Sequence, residues 1–364
     1  MNFKKIFLVG LIAALTVTGC ASSDTKKEID LNAVSLEDMV KKAKEEGEVN
    51  SVGMPDSWAN WIQTWEEITA EYGIKHTDVD MSSAEELAVF EAEKDSATKD
   101  IGDVGQSFGP LAEEKGLTLP YKTTNWDKIP DWAKDDDGDW IIGYYGTMAI
   151  ITNKQLVQEA PKSFADLLEG DYKIAVGDVT KATQAQSAVL AAAIAMGGDE
   201  TNIKPGIDFY KKLAEAGRLD KGELSLTRLE KGEIEVALLW DFNALGYKAQ
   251  FEANNSNAQY EVHIPVDGSV QSGYATVINA YAPHPHAAAL TREYILSDKG
   301  QINLARGFAK PIRSDVVLPE DVKSKMIPDE EYVKAVPIKD FKAWENTVKE
   351  LGALWQEEVM AGAK

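Results

Sequence analysis

EVNSVGMPDSWANWIQTWEEITAEYGIKHTDVD, residues 48–80, holds the pattern from which the fold class is read. Glu48–Gly53 reads as a strand, and Met54-Pro55-Asp56 breaks it, because proline fixes φ and removes a backbone donor. Ser57–Tyr72 then has helical periodicity, with Trp58, Trp61 and Trp65 three and four residues apart, and Ile74–Asp80 is a second strand. Ser83 and Glu86 have the spacing of a capping box for a helix running to about Lys99, and Ile101–Val104 is a third short strand. Strands alternating with helices in this way specify an α/β sheet covered on both faces.

Toward the N-terminus, Ser35 caps a helix that runs to Glu46, with Asp38 as its reciprocal partner. Before it, Lys4 and Lys5 lead an apolar run from Ile6 to about Val17 that ends in small residues, the order of a secretory signal. Val17-Thr18-Gly19-Cys20 resembles the bacterial lipobox, so the sole cysteine, Cys20, is expected to carry lipid and anchor the exported chain to a membrane. The apolar run is shorter than the roughly 20 residues a membrane span needs. Residues 21–30 are small, polar and charged, and read as a tether.

Toward the C-terminus the rhythm resumes after an irregular Trp-, Pro- and Asp-rich stretch, Tyr121–Gly138. Trp140–Ile151, Tyr172–Val176, Ile234–Leu239, Tyr260–Pro265 and Tyr274–Ala280 read as strands. Gln184–Met196, stopped by Gly197-Gly198, and Pro205–Ala216 read as helices, followed by others at about Pro285–Leu296, Lys299–Arg306 and Asp340–Met360. Two α/β units result, with a helical tail expected to pack back on the first.

The 364 residues carry 38 Lys and Arg against 60 Asp and Glu, a formal charge of −22. Removing residues 1–19 takes away two lysines and no acid. Such a surface repels phosphate backbones and has no basic stripe, so nucleic acid is excluded as a partner. A cationic ligand is favoured over an anionic one. With one cysteine, no disulfide forms within the chain.

Ligands of open α/β sheets sit beyond the carboxyl ends of strands, and clefts between two such units are favoured small-molecule sites. The loops in question carry Asp56, Ser57, Trp58, Gln106, Ser107, Phe108, Thr180, Lys181, Thr183, Trp240, Asp241, Asn243, Ser272 and Tyr274, and Tyr145 is added as a candidate. This mixture of aromatic faces and uncharged hydrogen-bonding groups suits an organic ligand, with an amine against Asp241. Trp61 and Trp65 read as core.

Five runs carry a family resemblance: DIGDVGQSFGPLAEEKGL (residues 100–117), GTMAIITNK (146–154), PKSFADLLEGDYKIAVGD (161–178), KGEIEVALLW (231–240) and GFAKPIRSDV (307–316). In this order they make the chain similar to the extracellular solute-binding proteins of bacterial ABC importers, a class that includes ferric-iron, thiamine, polyamine, phosphonate and sugar-phosphate binders. The resemblance implies a two-lobed, type II periplasmic-binding-protein-like architecture with a ligand cleft between lobes, hinge closure, and delivery of a small solute to ABC permease subunits. It also implies no enzymatic activity and no cofactor; a monomer is expected. The expected organisation is a signal peptide over 1–19, a lipidated N-terminus and tether over 20–34, lobe 1 over 35–151 plus 273–364, and lobe 2 over 152–272. Crossings between lobes are expected near Thr152-Asn153 and Val266–Ser272.

Within that class, ferric binders carry adjacent tyrosines where this chain has Trp240-Asp241-Phe242, and Tyr144-Tyr145 lies elsewhere. Anion binders would place arginine in the cleft loops, where only Lys181 offers a cation, although the backbone at Thr183-Gln184 could hold a phosphate. The leading expectation is a cationic or zwitterionic organic solute such as a polyamine or thiamine; ferric iron, sugar phosphates and phosphonates are the alternatives. A different class is a serine hydrolase, since Gly105-Gln106-Ser107-Phe108-Gly109 matches the G-x-S-x-G elbow, with His263, His284 and His286 as the only downstream histidines. His284-Pro285-His286 reads as a polar turn. Asp135-Asp136-Asp137-Gly138-Asp139 reads as a solvated turn, because a calcium-loop register would put Ala133 and Tyr144 at ligand positions.

Overall fold

The computed structural model describes residues 29–255 and 258–363; Cys20 and the segment read as signal and tether lie mostly outside them. Its first sheet is ordered β2 (Lys75–Val79), β1 (Glu48–Val52), β3 (Ile101–Gly105), β9 (Ser269–Ile278) and β4 (Trp140–Asn153). β1 is parallel to β2 and β3, whereas β9 is antiparallel to β3 and β4. A second sheet continues from β4 through β7 (Val236–Trp240), β5 (Ile174–Ala175) and β6 (Leu219–Asp220), with β8 (Tyr260–His263) also on β4. β10 (Lys310–Pro311) and β11 (Ala335–Pro337) add short pairings to β4 and β9. Helices cover both sheets, as the alternation of elements requires.

β4 is the member the two sheets share. Trp140 to Thr147 pair with β9, and Met148 to Thr152 pair with β7. The crossing therefore falls between Thr147 and Met148, ahead of the expected Thr152-Asn153. Met148–Ile151 is an unbroken apolar run buried on both sides, so the chain stays extended through the crossing and the sequence marks only the strand's end.

Two local readings are shifted, and both matter for the site. The first-sheet helix expected from Ser57 begins at Trp61, because Ala59 and Asn60 take left-handed φ values of 46° and 59°. That turn sets Trp58 ahead of the helix. The capping box is formed by Ser82 and Glu85, one residue earlier than expected, at the start of the helix Ser83–Glu93. Glu86 is thereby released from capping and turned into the interior, where it is 1 % exposed.

The tail also differs from expectation. The backbone N–H groups of Lys339 and Asp340 each donate to Glu200 Oε1 at 2.8 Å, and Trp355 packs edge-on against Tyr210 with ring centroids 5.2 Å apart. The last helices thus lie on the helix Lys204–Glu215 beside the second sheet, because their Trp355 and Val359 face is buried there. The helices Pro285–Ile295 and Asp298–Arg306 do stay with the first, packed on Leu36–Glu46 and Trp61–Tyr72.

Candidate functional site

Asp103 stands in the middle of β3, a strand buried along its whole length, with its side chain 1 % exposed. Two glycines let other groups come close to it. A Cβ on Gly102 would lie 2.8 Å from Glu86 Oε2, and one on Gly105 would lie 2.2 Å from Thr183 Oγ1. Glu86 thus reaches β3 from the first sheet's helix, and Thr183 reaches it from the helix Thr183–Ala195 of the second.

The backbone N–H of Asp103 donates to Glu86 Oε2 at 3.1 Å, so a second buried carboxyl group lies against the Asp103 backbone. Burial, reinforced by Asp103, pushes the Glu86 carboxyl well above the usual range; burial raises Asp103 to about 8, against the lowering effect of its bond from Tyr144. Asp78 and Asp80 add negative charge nearby, and burial raises both. Among the described residues no lysine or arginine forms an ion pair with Glu86 or Asp103. Charge buried without a partner is costly unless something supplies the counter-charge or a proton.

An aromatic cluster adjoins Asp103 through the Tyr144 hydroxyl, which donates to its Oδ2. The Trp58 ring centroid lies 5.4 Å from those of both Phe242 and Tyr274, edge-on in each case. Tyr144 stacks on Tyr274 at 5.7 Å and meets Phe242 edge-on at 5.6 Å, and Trp240 closes the group against Tyr274 at 6.2 Å. Trp240 Nε1 donates to the Tyr274 hydroxyl at 2.9 Å. Rings at these separations hold one another edge to face, and their quadrupoles make the surroundings favourable to a cation.

Polar groups complete the walls. Ser272 Oγ donates to Gln106 Oε1 at 3.3 Å, while Gln106 Nε2, Ser107 Oγ, Thr147 Oγ1 and Asn243 Oδ1 are buried without a protein partner. The two halves touch directly: Ser83 Oγ and Thr183 Oγ1 are 3.2 Å apart, and Lys181 Nζ pairs with Glu85 at 2.8 Å.

Of the residues expected from sequence, Trp58, Gln106, Ser107, Thr183, Trp240, Asn243, Ser272 and Tyr274 come together here. Asp56 and Ser57 are exposed, and Asp56 lines an outer groove with Trp65 and His76. Thr180 is exposed and donates to Asp178 at 2.5 Å, and Phe108 belongs to the core. Lys181 is held by Glu85. Asp241 is buried at the crossing, with Tyr145 half-buried near it. Its carboxylate accepts from the N–H of Thr147 and of Phe242, both at 2.9 Å, and from the Tyr332 hydroxyl at 2.8 Å. Burial raises Asp241 to about 6, offset by those bonds and by Lys310. Asp103, Glu86, Tyr144, Phe242 and Gln184 are not among the side chains expected at the site. The available signal for Asp103 was an acid inside the apolar strand run IGDVG.

No histidine among the described residues hydrogen-bonds Ser107: His284 faces Asp100, His286 faces Glu46 and His263 faces Glu261. The acidic run closes as a turn, with Asp135 Oδ2 accepting from the N–H groups of Asp137, Gly138 and Asp139 at 2.9, 3.1 and 3.3 Å. No helix among the described residues is long and apolar enough to cross a membrane.

Two sheets joined through crossing strands, with aromatic and acidic groups where they meet, make a two-lobed α/β fold of the type II periplasmic-binding-protein class. Residues 96–341 match the model of the bacterial extracellular solute-binding proteins, and the chain belongs to that family. Its fold resembles the periplasmic binding protein AfuA from Actinobacillus pleuropneumoniae, solved with fructose-6-phosphate, at a TM-score of 0.70 and 18% identity over 86% of this chain and 98% of that one. The ferric binding protein from Campylobacter jejuni matches at a TM-score of 0.63 and 19% identity, over 85% of this chain and 98% of its own. A periplasmic thiamin binding protein matches at 0.67 and 15% identity, over 86% and 96%. No curated protein sequence matches the chain. At these identities the solved structures establish the fold.

Proposed function

We propose that this protein captures a small organic cation outside the cytoplasm and delivers it to an ABC permease, performing no chemistry on it. The observation that carries the reading is the buried carboxyls of Glu86 and Asp103 beside the aromatic cluster of Trp58, Tyr144, Phe242, Tyr274 and Trp240, with no lysine or arginine paired to either acid among the described residues. A ligand ammonium or related cation supplies the missing charge and is favoured by the ring faces. Charge-assisted bonds to such a carboxylate are among the strong ones.

A sugar phosphate or phosphonate is disfavoured, because Arg292, Arg313 and Lys181 are already engaged within the protein. Arg292 is spent on the carbonyls of Tyr121, Gly138, Asp139 and Thr276, Arg313 on Asp298 and Asp315, and Lys181 on Glu85. Ferric iron would call on phenolates, yet the Tyr144 hydroxyl is already bonded to Trp58 and Asp103. Export and attachment through lipid on Cys20, with residues 21–30 as tether, complete the proposal.

A thermal-shift series on residues 21–364 tests it, with polyamines, thiamine, amino acids, sugar phosphates, phosphonates and ferric ion as additives. A cation should raise the melting temperature with its concentration, and Asp103→Asn should abolish the shift. A shift given by a sugar phosphate alone would sink the reading.

A further inference from the structure

Two hydrogen-bond relays in the site run in one direction only, and each ends on an oxygen with no donor. In the first, the Trp58 indole N–H, which can only donate, meets the Tyr144 hydroxyl oxygen at 2.7 Å. The Tyr144 proton is directed onward to Asp103 Oδ2 at 2.5 Å, and Asp103 Oδ1 is left without a partner at a side chain 1 % exposed. In the second, the backbone N–H of Trp240 donates to a Gln184 side-chain atom at 3.1 Å, which identifies that atom as the carbonyl Oε1. The same oxygen lies 3.2 Å from the Asn243 side chain, so the Asn243 atom facing it is the amide nitrogen. A flipped Asn243 would set two oxygens face to face. Asn243 Oδ1 is therefore the atom turned away, and it too is buried without a partner, at 2 % exposure.

The relays belong to one place. Gln184 adjoins Thr183, whose side chain lies against Gly105, two residues along β3 from Asp103. Phe242, next to Asn243, meets the rings of both Trp58 and Tyr144. Donor-only groups at the head of each relay prevent either terminal oxygen from being satisfied by a simple rotation. Buried acceptors are otherwise nearly always paired in folded proteins.

We propose that the ligand is an organic cation bearing N–H groups, which donates to Asp103 Oδ1 from its charged end and to Asn243 Oδ1 from a second N–H donor. The inference rests on the cation reading above and narrows it. Primary and secondary ammonium, amidinium and guanidinium groups supply the N–H donor for Asp103 Oδ1. A quaternary ammonium satisfies the rings and the charge but leaves both oxygens bare. Sites built to hydrogen-bond a ligand reject analogues that lack the donor far more strongly than apolar pockets reject a missing methylene.

Calorimetric titration of a panel of primary amines and guanidines, each beside its N-permethylated counterpart, reads this selectivity, with melting of the free protein as a second arm. The N–H form of the bound cation should bind at least about 100-fold more tightly than its permethylated partner, and Asp103→Asn should erase most of that preference. Free Asp103→Asn should melt above the wild type at pH 7.5, because a bare buried acid is removed. Equal binding of the two forms overturns the N–H inference and leaves the cation reading standing. Binding of an anionic or neutral solute in place of every cation overturns both. A melting temperature of free Asp103→Asn below the wild type shows that Oδ1 is held by the protein, and also overturns the inference.

Discussion

Asp241 and Asp103 are both buried acids at the meeting of the sheets, and their surroundings give them opposite tasks. Asp241 gathers three protein donors and ties Thr147, Phe242 and Tyr332 together across the crossing. Asp241→Ala strands two backbone N–H groups and should cost about 2–4 kcal/mol in equilibrium denaturation. Asp241→Asn keeps an acceptor, so it should alter ligand affinity less than Asp103→Asn does when both are titrated side by side. Asp103 has a folded pKa of about 8, above its usual 3.8, chiefly through burial. A raised folded value means that its contribution to stability is complete below about pH 4 and is lost as pH climbs through about 8. The wild type should therefore lose melting temperature between about pH 5 and 8, by the equivalent of a few kcal/mol at most. Asp103→Asn should be flatter over the same window. Glu86 shifts in the same direction and adds to the slope.

Single features of the elements decide how the groups meet. Ser82 and Glu85 cap the helix Ser83–Glu93, and that register turns Glu86 inward toward β3. A start one residue later, as the sequence suggested with Ser83 and Glu86, would have spent Glu86 on the cap. Gly105 at the end of β3 leaves room for Thr183, and any Cβ there would overlap the threonine side chain. Gly105→Ala should hold the sheets apart with little effect on either alone, weakening ligand binding about tenfold or more, in line with the 1–3 kcal/mol typical of overpacking. Small-angle scattering of the ligand-saturated variant should show a larger radius of gyration than the wild type. An unchanged radius and affinity would show that the contact is not part of closure.

Across the whole molecule, 60 acidic against 38 basic side chains surround a site that is itself acidic. Long-range attraction should then speed the arrival of a cation and fade as salt screens it. Stopped-flow tryptophan fluorescence, with Trp58 in the site as reporter, should give an association rate for the cationic ligand that falls severalfold between about 0.01 and 0.15 M salt. An association rate that rises with salt would point to an anionic ligand.

The strand–helix alternation and the family were legible in the chain, and eight of the expected residues lie where the two sheets meet. Periodicity, turn residues and the loops after strands are local properties that a linear reading can register. Trp58, Gln106 and Trp240 are examples, since each lies at or beside a break between a strand and a helix. Only the tertiary structure decided which acid keeps an oxygen without a protein donor. Asp241 looked like the ligand's counter-charge because it follows a strand, and its three donors come from residues 147, 242 and 332. Asp103 looked like part of a strand, and its place in the site depends on Glu86, Tyr144, Trp58 and a second sheet arriving from elsewhere in the chain. Whether a buried charge is satisfied is a sum over neighbours brought together by folding, and no window of sequence contains that sum.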